Sequence, residues 1–408
     1  QNSGNPATQT NPAATGLTGT WVFGASTNGN DTILQANFGA LPFTYNAPSG
    51  FEALNTASMS AASISNPSEY FDILTYTGIT QSPRTLTGLS IAEPDWVWVK
   101  NRDDSSPHLI WDAVRGTDKN MRTDTTNNET EVSGSSNGII STSAANGFVV
   151  KNGSGSGTNA GSSGSDDIVA WCWEAGSSTV TNNVGDITTT LRANPTAGFS
   201  IATYSGSGTS GDTLGHGLNA DPEFVIIKAR DKTDDWRVYH KGVGTGHYLR
   251  LNGDHAKTTT NNWQSISTTT FGIDNDSAVN SSSYTYVAYF FAPVAGYSSF
   301  GSFTGNASAD GPFVYTGFKP KFLLLKNADS AYNWRINDAE RSPFNVVDET
   351  LFPNESNAEA TSSSNLVDFL SNGFKLKASG SGSNASGDTI VYAAFSEHPF
   401  QANGGIAR

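Results

Sequence analysis

The sequence predicts an all-β protein made of three tandem homologous β-sandwich repeats and a short N-terminal β segment. Asn, Ser, Thr and Gly make up 42% of the 408 residues, while charged residues make up only 15%. A disordered chain would be poor in aromatic residues, but this one has 9 Trp, 13 Tyr and 22 Phe. A helical protein would rely on Ala, Leu, Glu, Lys and Arg. Short apolar runs separated by polar turns instead indicate strands.

One sequence block occurs three times and defines the repeats. It reads PDWVWVKNRD at 94–103, PEFVIIKARD at 222–231 and PKFLLLKNAD at 320–329. In each copy Lys follows Pro by six residues, and Asp follows that Lys by three. The apolar run between Pro and Lys predicts a buried strand. Each repeat also ends in a closing strand, and we align these strands on Ala170, Ala288 and Ala393.

The repeats set the expected domain boundaries. They are an N-terminal β segment at 1–69 and repeats at 70–180, 181–296 and 297–408. About a hundred residues is enough for one sandwich, so we expect three sandwiches arranged in series. Helix is expected only as a turn or two near 346–352 and 365–370.

Charge and cysteine content exclude several functions. A net charge of −14 and a pI near 4.7 argue against nucleic acid, whose binding depends on Lys and Arg. They also disfavour anionic membranes, and no apolar run approaches the ~20 residues that cross a bilayer. Cys172 is the only cysteine, which excludes an intrachain disulfide and cysteine-based zinc sites. No cofactor is expected.

Several longer phrases resemble a known family. They are PDWVWVKNRD (94–103), ANPTAGFSIATYSG (193–206), FAPVAGYSSFGSFTGNASADGPFVYTGFKPKF (291–322), SNGFKLKAS (371–379) and ANGGIAR (402–408). Residues 70–408 resemble the repeated domain of tail-fibre and other virion proteins of tailed bacteriophages, especially marine and cyanobacterial ones. Residues 37–55 resemble the closing segment of a lectin-like SPRY domain. The resemblance implies a virion component near the host-contact surface, with other virion proteins as partners.

The candidate binding residues have two interpretations. Trp111, Trp236 and Trp334 follow the three blocks, with a small loop insertion before the first. They could stack on sugars, but we favour buried core positions. Trp96 and Trp98 share one face of a strand and are expected in the core. The repeated Lys/Asp pairs could form a binding rim, although capping of the turn is favoured. These pairs are Lys100/Asp103, Lys228/Asp231 and Lys326/Asp329.

Residues found in one repeat only are better candidates for recognition. Tyr239, His240, His247 and Tyr248 lie together in the second repeat, where His255 follows. Metal ligation would need closer His spacing and a carboxylate, so no metal site is predicted. Paired Asp residues in several turns could bind calcium, but none has the spacing of a calcium loop.

No catalytic motif is present: the acidic residues are scattered, without the carboxylate pair of a glycosidase. We therefore expect a non-enzymatic phage tail-fibre or adhesin protein, assembled as a homotrimer or another homo-oligomer. It is expected at the virion surface, contacting host glycan through many weak sites. Two alternatives remain open. One is a capsid-decoration or filament-forming protein without host binding, and the other is a polysaccharide depolymerase.

Overall fold

The computed structural model describes residues 62–400, apart from 81, 132–137, 142–144, 152–156, 160–164 and 362. Regular structure in this part of the chain is almost entirely antiparallel β-strand, which confirms the all-β fold class. The described helices are single turns, at Pro67–Glu69, Lys241–Val243 and Ser381–Asn384. None of them is long or apolar enough to span a bilayer. Most of the predicted N-terminal segment, including the SPRY-like stretch, lies outside the described residues.

Unit 1 is a sandwich of two antiparallel sheets. The larger sheet has the order β1-β9-β3-β4-β5-β6, and the smaller has the order β2-β8-β7. The strands are β1 (Phe71–Thr77), β2 (Arg84–Thr87), β3 (Trp96–Asn101), β4 (Leu109–Asp112), β5 (Lys119–Arg122), β6 (Thr130–Glu131), β7 (Gly138–Ser141), β8 (Gly147–Lys151) and β9 (Asp167–Trp173).

Unit 2 repeats this plan with two extra strands at its start. The larger sheet is β10-β11-β12-β20-β14-β15-β16-β17, and the smaller is β13-β19-β18. The strands are β10 (Val180–Asn182), β11 (Thr189–Asn194), β12 (Phe199–Ser205), β13 (Thr213–Gly215), β14 (Phe224–Ala229), β15 (Arg237–His240), β16 (His247–Arg250), β17 (Thr258–Thr259), β18 (Trp263–Ile266), β19 (Thr270–Ile273) and β20 (Thr285–Phe291).

Unit 3 repeats the plan of unit 1, except that the last two strands of its larger sheet form a separate short pair. Its sheets are β21-β29-β23-β24, β22-β28-β27 and β25-β26. The strands are β21 (Ser298–Thr304), β22 (Phe313–Tyr315), β23 (Phe318–Asn327), β24 (Arg335–Asp338), β25 (Glu349–Thr350), β26 (Ala360–Thr361), β27 (Val367–Leu370), β28 (Gly373–Leu376) and β29 (Thr389–Pro399). The two predicted helical turns are wrong, because β25 and β27 occupy those segments.

The block strand of each unit is buried on both faces. In β3, Val97 and Val99 face the sandwich core of unit 1. Trp96 and Trp98 face the opposite way, into a second core to which all three units contribute. Alternate residues of a strand point to opposite faces, so a strand covered on both sides is apolar throughout. The prediction that Trp96 and Trp98 share a core face is confirmed.

The second core, here called the central core, joins the three units into one body. Its aromatic rings meet across unit boundaries: Trp96 lies 4.9 Å from Tyr289, and Trp173 lies 5.7 Å from Phe322, between ring centroids. Residues 62–400 accordingly belong to one compact unit. The three sandwiches follow one another along the chain, as predicted, and they also pack around one core that they share. The larger sheets bury their outer faces against one another, because those faces are as apolar as the faces inside each sandwich.

Three junctions close the units into a ring. At each junction, a loop of one unit donates a backbone N–H to the strand end of the next unit, with an N···O distance of 2.7 Å. The donor and acceptor pairs are Glu129 and Arg230, Lys257 and Ala328, and Glu359 and Arg102. Unit 1 thus contacts unit 2, unit 2 contacts unit 3, and unit 3 contacts unit 1. This is the cyclic, head-to-tail interface of a trimer, formed within one chain.

The closing strands correct one predicted alignment. Ala170 pairs with Val99 and Ala288 pairs with Ile227, but the matching partner of Leu325 is Tyr392. Ala393 is therefore one residue out of register with the other two alanines. A shift of one residue moves a side chain to the opposite face of a sheet, so Ala393 lies in the central core instead.

Candidate functional site

Two of the three junctions contain the same buried charge network. Each junction is named after the two units that it joins. At the 1–2 junction, Asp112 forms an ion pair with Arg115 and accepts a hydrogen bond from the Tyr289 hydroxyl at 2.7 Å. Arg115 and Arg230 both pair with Glu129. Burial opposes the charge on Arg115, but the carboxylates of Asp112 and Glu129 outweigh it and raise its pKa.

At the 3–1 junction the corresponding residues recur. Asp338 pairs with Arg341 and accepts a hydrogen bond from Trp171 Nε1 at 3.0 Å. Glu359 pairs with both Arg341 and Arg102. The charged groups of this network are mostly buried and mutually paired, which indicates that they hold the units together.

At the 2–3 junction all five positions differ together. His240 replaces the acid and Val243 replaces its arginine, while Lys257, Ala328 and Ala393 stand where the other junctions have Glu, Arg and an aromatic donor. His240 Nε2 instead lies 3.0 Å from the carbonyl oxygen of Tyr392. Burial lowers the pKa of His240 to about 4, which this carbonyl only partly opposes. A neutral ring thus takes the place of an ion pair.

The candidate residues Tyr239, His240 and Tyr248 are buried, and His247 is partly buried. Tyr239 and Tyr248 belong to the sandwich core of unit 2. His247 Nδ1 lies 3.1 Å from the carbonyl oxygen of Val243. The structure therefore does not bring these side chains together on an open surface.

Trp236 and Trp334 lie in the central core and are at most 1% exposed. Each donates its indole N–H to a carbonyl of the preceding unit, Trp236 to Arg122 at 2.9 Å and Trp334 to Arg250 at 2.7 Å. Neither indole has a face open to a sugar ring. Their equivalent positions support the core interpretation.

Trp111 does not occupy the position in unit 1 that is equivalent to those of Trp236 and Trp334. It faces the sandwich core of unit 1 and is 3% exposed. The residue eight positions after Lys100 is His108, so the expected loop insertion is absent. His108 accepts a hydrogen bond from Trp98 Nε1 at 3.0 Å, and burial lowers its pKa well below the usual value.

The repeated Lys and Asp residues have structural roles rather than forming a rim. Lys228 is fully buried, and its ammonium donates to the carbonyls of Ala229 and Lys232, at 2.7 and 3.1 Å. Asp231 accepts from the backbone N–H of Thr285, the first residue of β20, at 3.1 Å. The other units repeat this arrangement with Lys100, Asp103, Lys326 and Asp329. Each Lys closes a turn, and each Asp caps the closing strand.

Burial lowers the pKa of Lys100 and Lys228 to about 8 and that of Lys326 to about 7, although nearby carboxylates oppose the shift. Cys172 is also buried, and burial raises the pKa of its thiol well above the usual value. Within the described ranges, no group of three or more His, Cys, Asp and Glu side chains could hold a metal ion.

The exposed aromatic side chains are confined to unit 3. Across the described part of the chain, the aromatic residues at least 36% exposed are Phe313, Tyr315, Tyr332 and Phe344. Phe313 and Tyr315 lie on β22, 47% and 58% exposed, and the intervening Val314 faces the sandwich core. Both rings therefore stand on the outer face of the smaller sheet.

The same face is polar in units 1 and 2. The inward residue corresponding to Val314 is Leu86 in β2 and Leu214 in β13. The flanking positions, occupied by Phe313 and Tyr315 in unit 3, are Thr85 and Thr87 in unit 1 and Thr213 and Gly215 in unit 2. Sequence reasoning missed this pair, although aligning RTLT (84–87), DTLG (212–215) and PFVY (312–315) would have shown the difference.

Polar groups lie beside the two rings. Lys375 is the cross-strand partner of Phe313, and its Nζ lies 2.8 Å from a carboxylate oxygen of Asp310. Gly373 is the partner of Tyr315, so no neighbouring side chain on β28 covers that ring. The surface formed by Phe313, Tyr315, Lys375 and Asp310 is called the aromatic face below.

Comparison with known proteins gives a family but no function. No curated protein and no solved structure matches this chain. Residues 66–399, which include all three units, match DUF7483, a domain of unknown function. The chain belongs to this family.

Proposed function

Taking the chain as a member of the DUF7483 family, we propose that it is a non-enzymatic structural protein of a phage particle that contacts glycan on the host surface. The observation that carries the proposal is that, in the part of the chain that the structure describes, the exposed Phe and Tyr side chains are confined to unit 3. Aromatic side chains are enriched at protein binding surfaces relative to the rest of the protein surface. The resemblance to phage virion repeats supplies the setting.

Ring closure suits such a role. Three β units share one buried core, so the body transmits force without relying on flexible linkers between domains. Gly296, between units 2 and 3, lies beside both Ala62 and Pro399, because a Cβ added to this glycine would lie 3.3 Å from the Cβ atom of each. Attachment at that end would leave the sides of the body free for contact.

We further propose that copies of the chain act together on one particle, as a homotrimer or another homo-oligomer beside other virion proteins. One weak site for each chain would give low affinity on its own. Linking several copies raises the overall affinity by about 10²–10⁴ without a new contact, provided that the sites can bind at the same time.

The test is binding without degradation. Purified full-length protein, at the oligomeric state found by light scattering, is mixed with host cells and with the extracted host surface polysaccharide. The proposal expects cell binding and an unchanged polymer length by size-exclusion chromatography. Shortening of the polymer would support a depolymerase instead, and absence of binding by the assembled protein would leave a purely structural role.

A further inference from the structure

We propose that the aromatic face of unit 3 is the glycan-binding site and that it takes a neutral pyranose, with one site for each chain. This inference rests on the proposed function and gives it a location. The three units provide an internal comparison, because their shared fold needs the inward residue of this strand but not the outward ones. Only unit 3 has aromatic side chains at the outward positions.

The rings offer an apolar surface with hydrogen-bonding groups at its edge. Phe313 and Tyr315 are two residues apart on one strand and therefore point to the same side. The C–H face of a pyranose can lie on such rings, while its hydroxyl groups meet the Lys375 ammonium and the Asp310 carboxylate.

The size of the face favours a small ligand over a second copy of the chain. A whole aromatic side chain has about 150–250 Å² of surface, and these two are about half exposed. They therefore offer about 200 Å², whereas a stable protein interface needs about 800 Å² from each partner. β22 has only three residues, which also limits strand pairing with another chain.

Local charge favours a neutral sugar. Lys375 pairs with Asp310, and Lys377 Nζ lies 3.7 Å from a carboxylate oxygen of Asp368. The two positive and two negative charges beside the rings therefore cancel. The whole chain carries a net charge of −14, which repels acidic polymers at longer range. Neither a uronic acid nor a nucleic acid phosphate finds an unpaired cation at the aromatic face.

The experiment compares the wild-type protein with the F313T/Y315T double variant. Thr occupies both outward positions in unit 1, so these substitutions suit the strand, and an unchanged melting temperature would confirm folding. Tyr332→Thr is the matched control, because Tyr332 is exposed in unit 3 but lies outside the aromatic face. All three proteins are applied to an array of neutral hexose oligomers, uronic acid oligomers and sulfated oligomers. The strongest ligand is then titrated calorimetrically.

We expect the wild type to bind neutral oligomers with one site for each chain. Taking the stacking of nucleic acid bases on aromatic side chains as the scale, the double variant should lose at least about fivefold in affinity for each ring removed, while Tyr332→Thr should bind as the wild type does. Equal binding by the double variant, three sites for each chain, or binding of acidic oligomers only would overturn the inference. So would the absence of any array binding, or a changed oligomeric state in the double variant.

The cell-binding assay separates this inference from the proposed function. If the folded double variant still binds host cells as strongly as the wild type, the aromatic face is the wrong site and the proposed function stands. If the wild-type protein binds neither host cells nor host polysaccharide, the proposed function fails as well.

Discussion

The 1–2 junction and the 2–3 junction perform the same structural task with different chemistry. The first buries Asp112 and Arg115 as an ion pair, and the second places His240 and Val243 at the matching positions. A charge that remains in the core without its partner is costly, so the ionic set works only when complete. The 2–3 junction instead has a neutral histidine and a valine at the buried positions, and its Lys257 pairs with the partly exposed Asp329. The five positions therefore differ as a group.

The largest expected effect comes from placing asparagine at the equivalent positions of the two junctions, Asp112 and His240. Asp112→Asn removes one of the two carboxylates that pair with the buried Arg115 and leaves only Glu129. It should destabilise the protein by about 3 kcal/mol, the lower end of the range for breaking a buried ion pair. His240→Asn replaces a neutral ring that makes one hydrogen bond with its Nε2 and should cost about 1–2 kcal/mol. Urea unfolding followed by tryptophan fluorescence measures both. Equal losses would contradict the distinction between the two junctions.

The second prediction concerns acid. Because burial lowers the pKa of His240 to about 4, the unfolded chain, with a usual value near 6.5, takes up a proton before the folded chain does. Stability should therefore fall as the pH drops from about 6.5 towards 4, with this residue contributing about 2–3 kcal/mol. His108 and His216 have lowered pKa values as well. The contribution of His240 is therefore obtained as the difference in unfolding free energy between the wild type and His240→Gln at each pH.

That difference is measured by urea unfolding at a series of pH values. The curve for His240→Gln should be flatter between pH 4 and 6.5 and should run parallel to that of the wild type above pH 7. Curves that stay parallel over the whole range would show that His240 titrates normally in the folded protein.

The smallest expected effect is that of removing the Lys257 side chain. Lys257 occupies in unit 2 the position that Glu129 occupies in unit 1. Glu129→Ala removes the carboxylate shared by the fully buried Arg115 and by Arg230 and should cost about 2–3 kcal/mol. Lys257→Ala removes an ion pair with Asp329 in which both side chains are more than a quarter exposed, so it should cost no more than about 1 kcal/mol. Thermal unfolding of the two variants measures both losses of stability. A larger loss for Lys257→Ala than for Glu129→Ala would contradict this prediction.

The sequence was informative where the chain repeats itself locally. Three units, their block strands and the shared face of Trp96 and Trp98 follow from short-range patterns, because alternation and turn residues act within a few positions. Closure of the ring depends on contacts such as Arg102 with Glu359, 257 residues apart. No local pattern encodes such a contact, and an apolar run does not reveal that both of its faces are covered.

Most of the candidate binding residues lie in the interior of the protein. Repetition marks what the fold requires, so Trp236 and Trp334 are in the core, which is the interpretation favoured from the sequence. Phe313 and Tyr315 are informative because they differ from the other units. They lie on a three-residue strand, too short for its alternation to be recognised without knowing which residues are equivalent.

The closed ring is tested most directly by native-state hydrogen exchange in increasing urea, comparing β3, β14 and β23. A shared central core predicts that amides in these strands of all three units lose protection at one urea concentration. It also predicts that Asp112→Asn lowers that concentration equally in all three. Loss of protection in β3 while β23 stays protected would contradict the account, since it would show that the units unfold as separate domains.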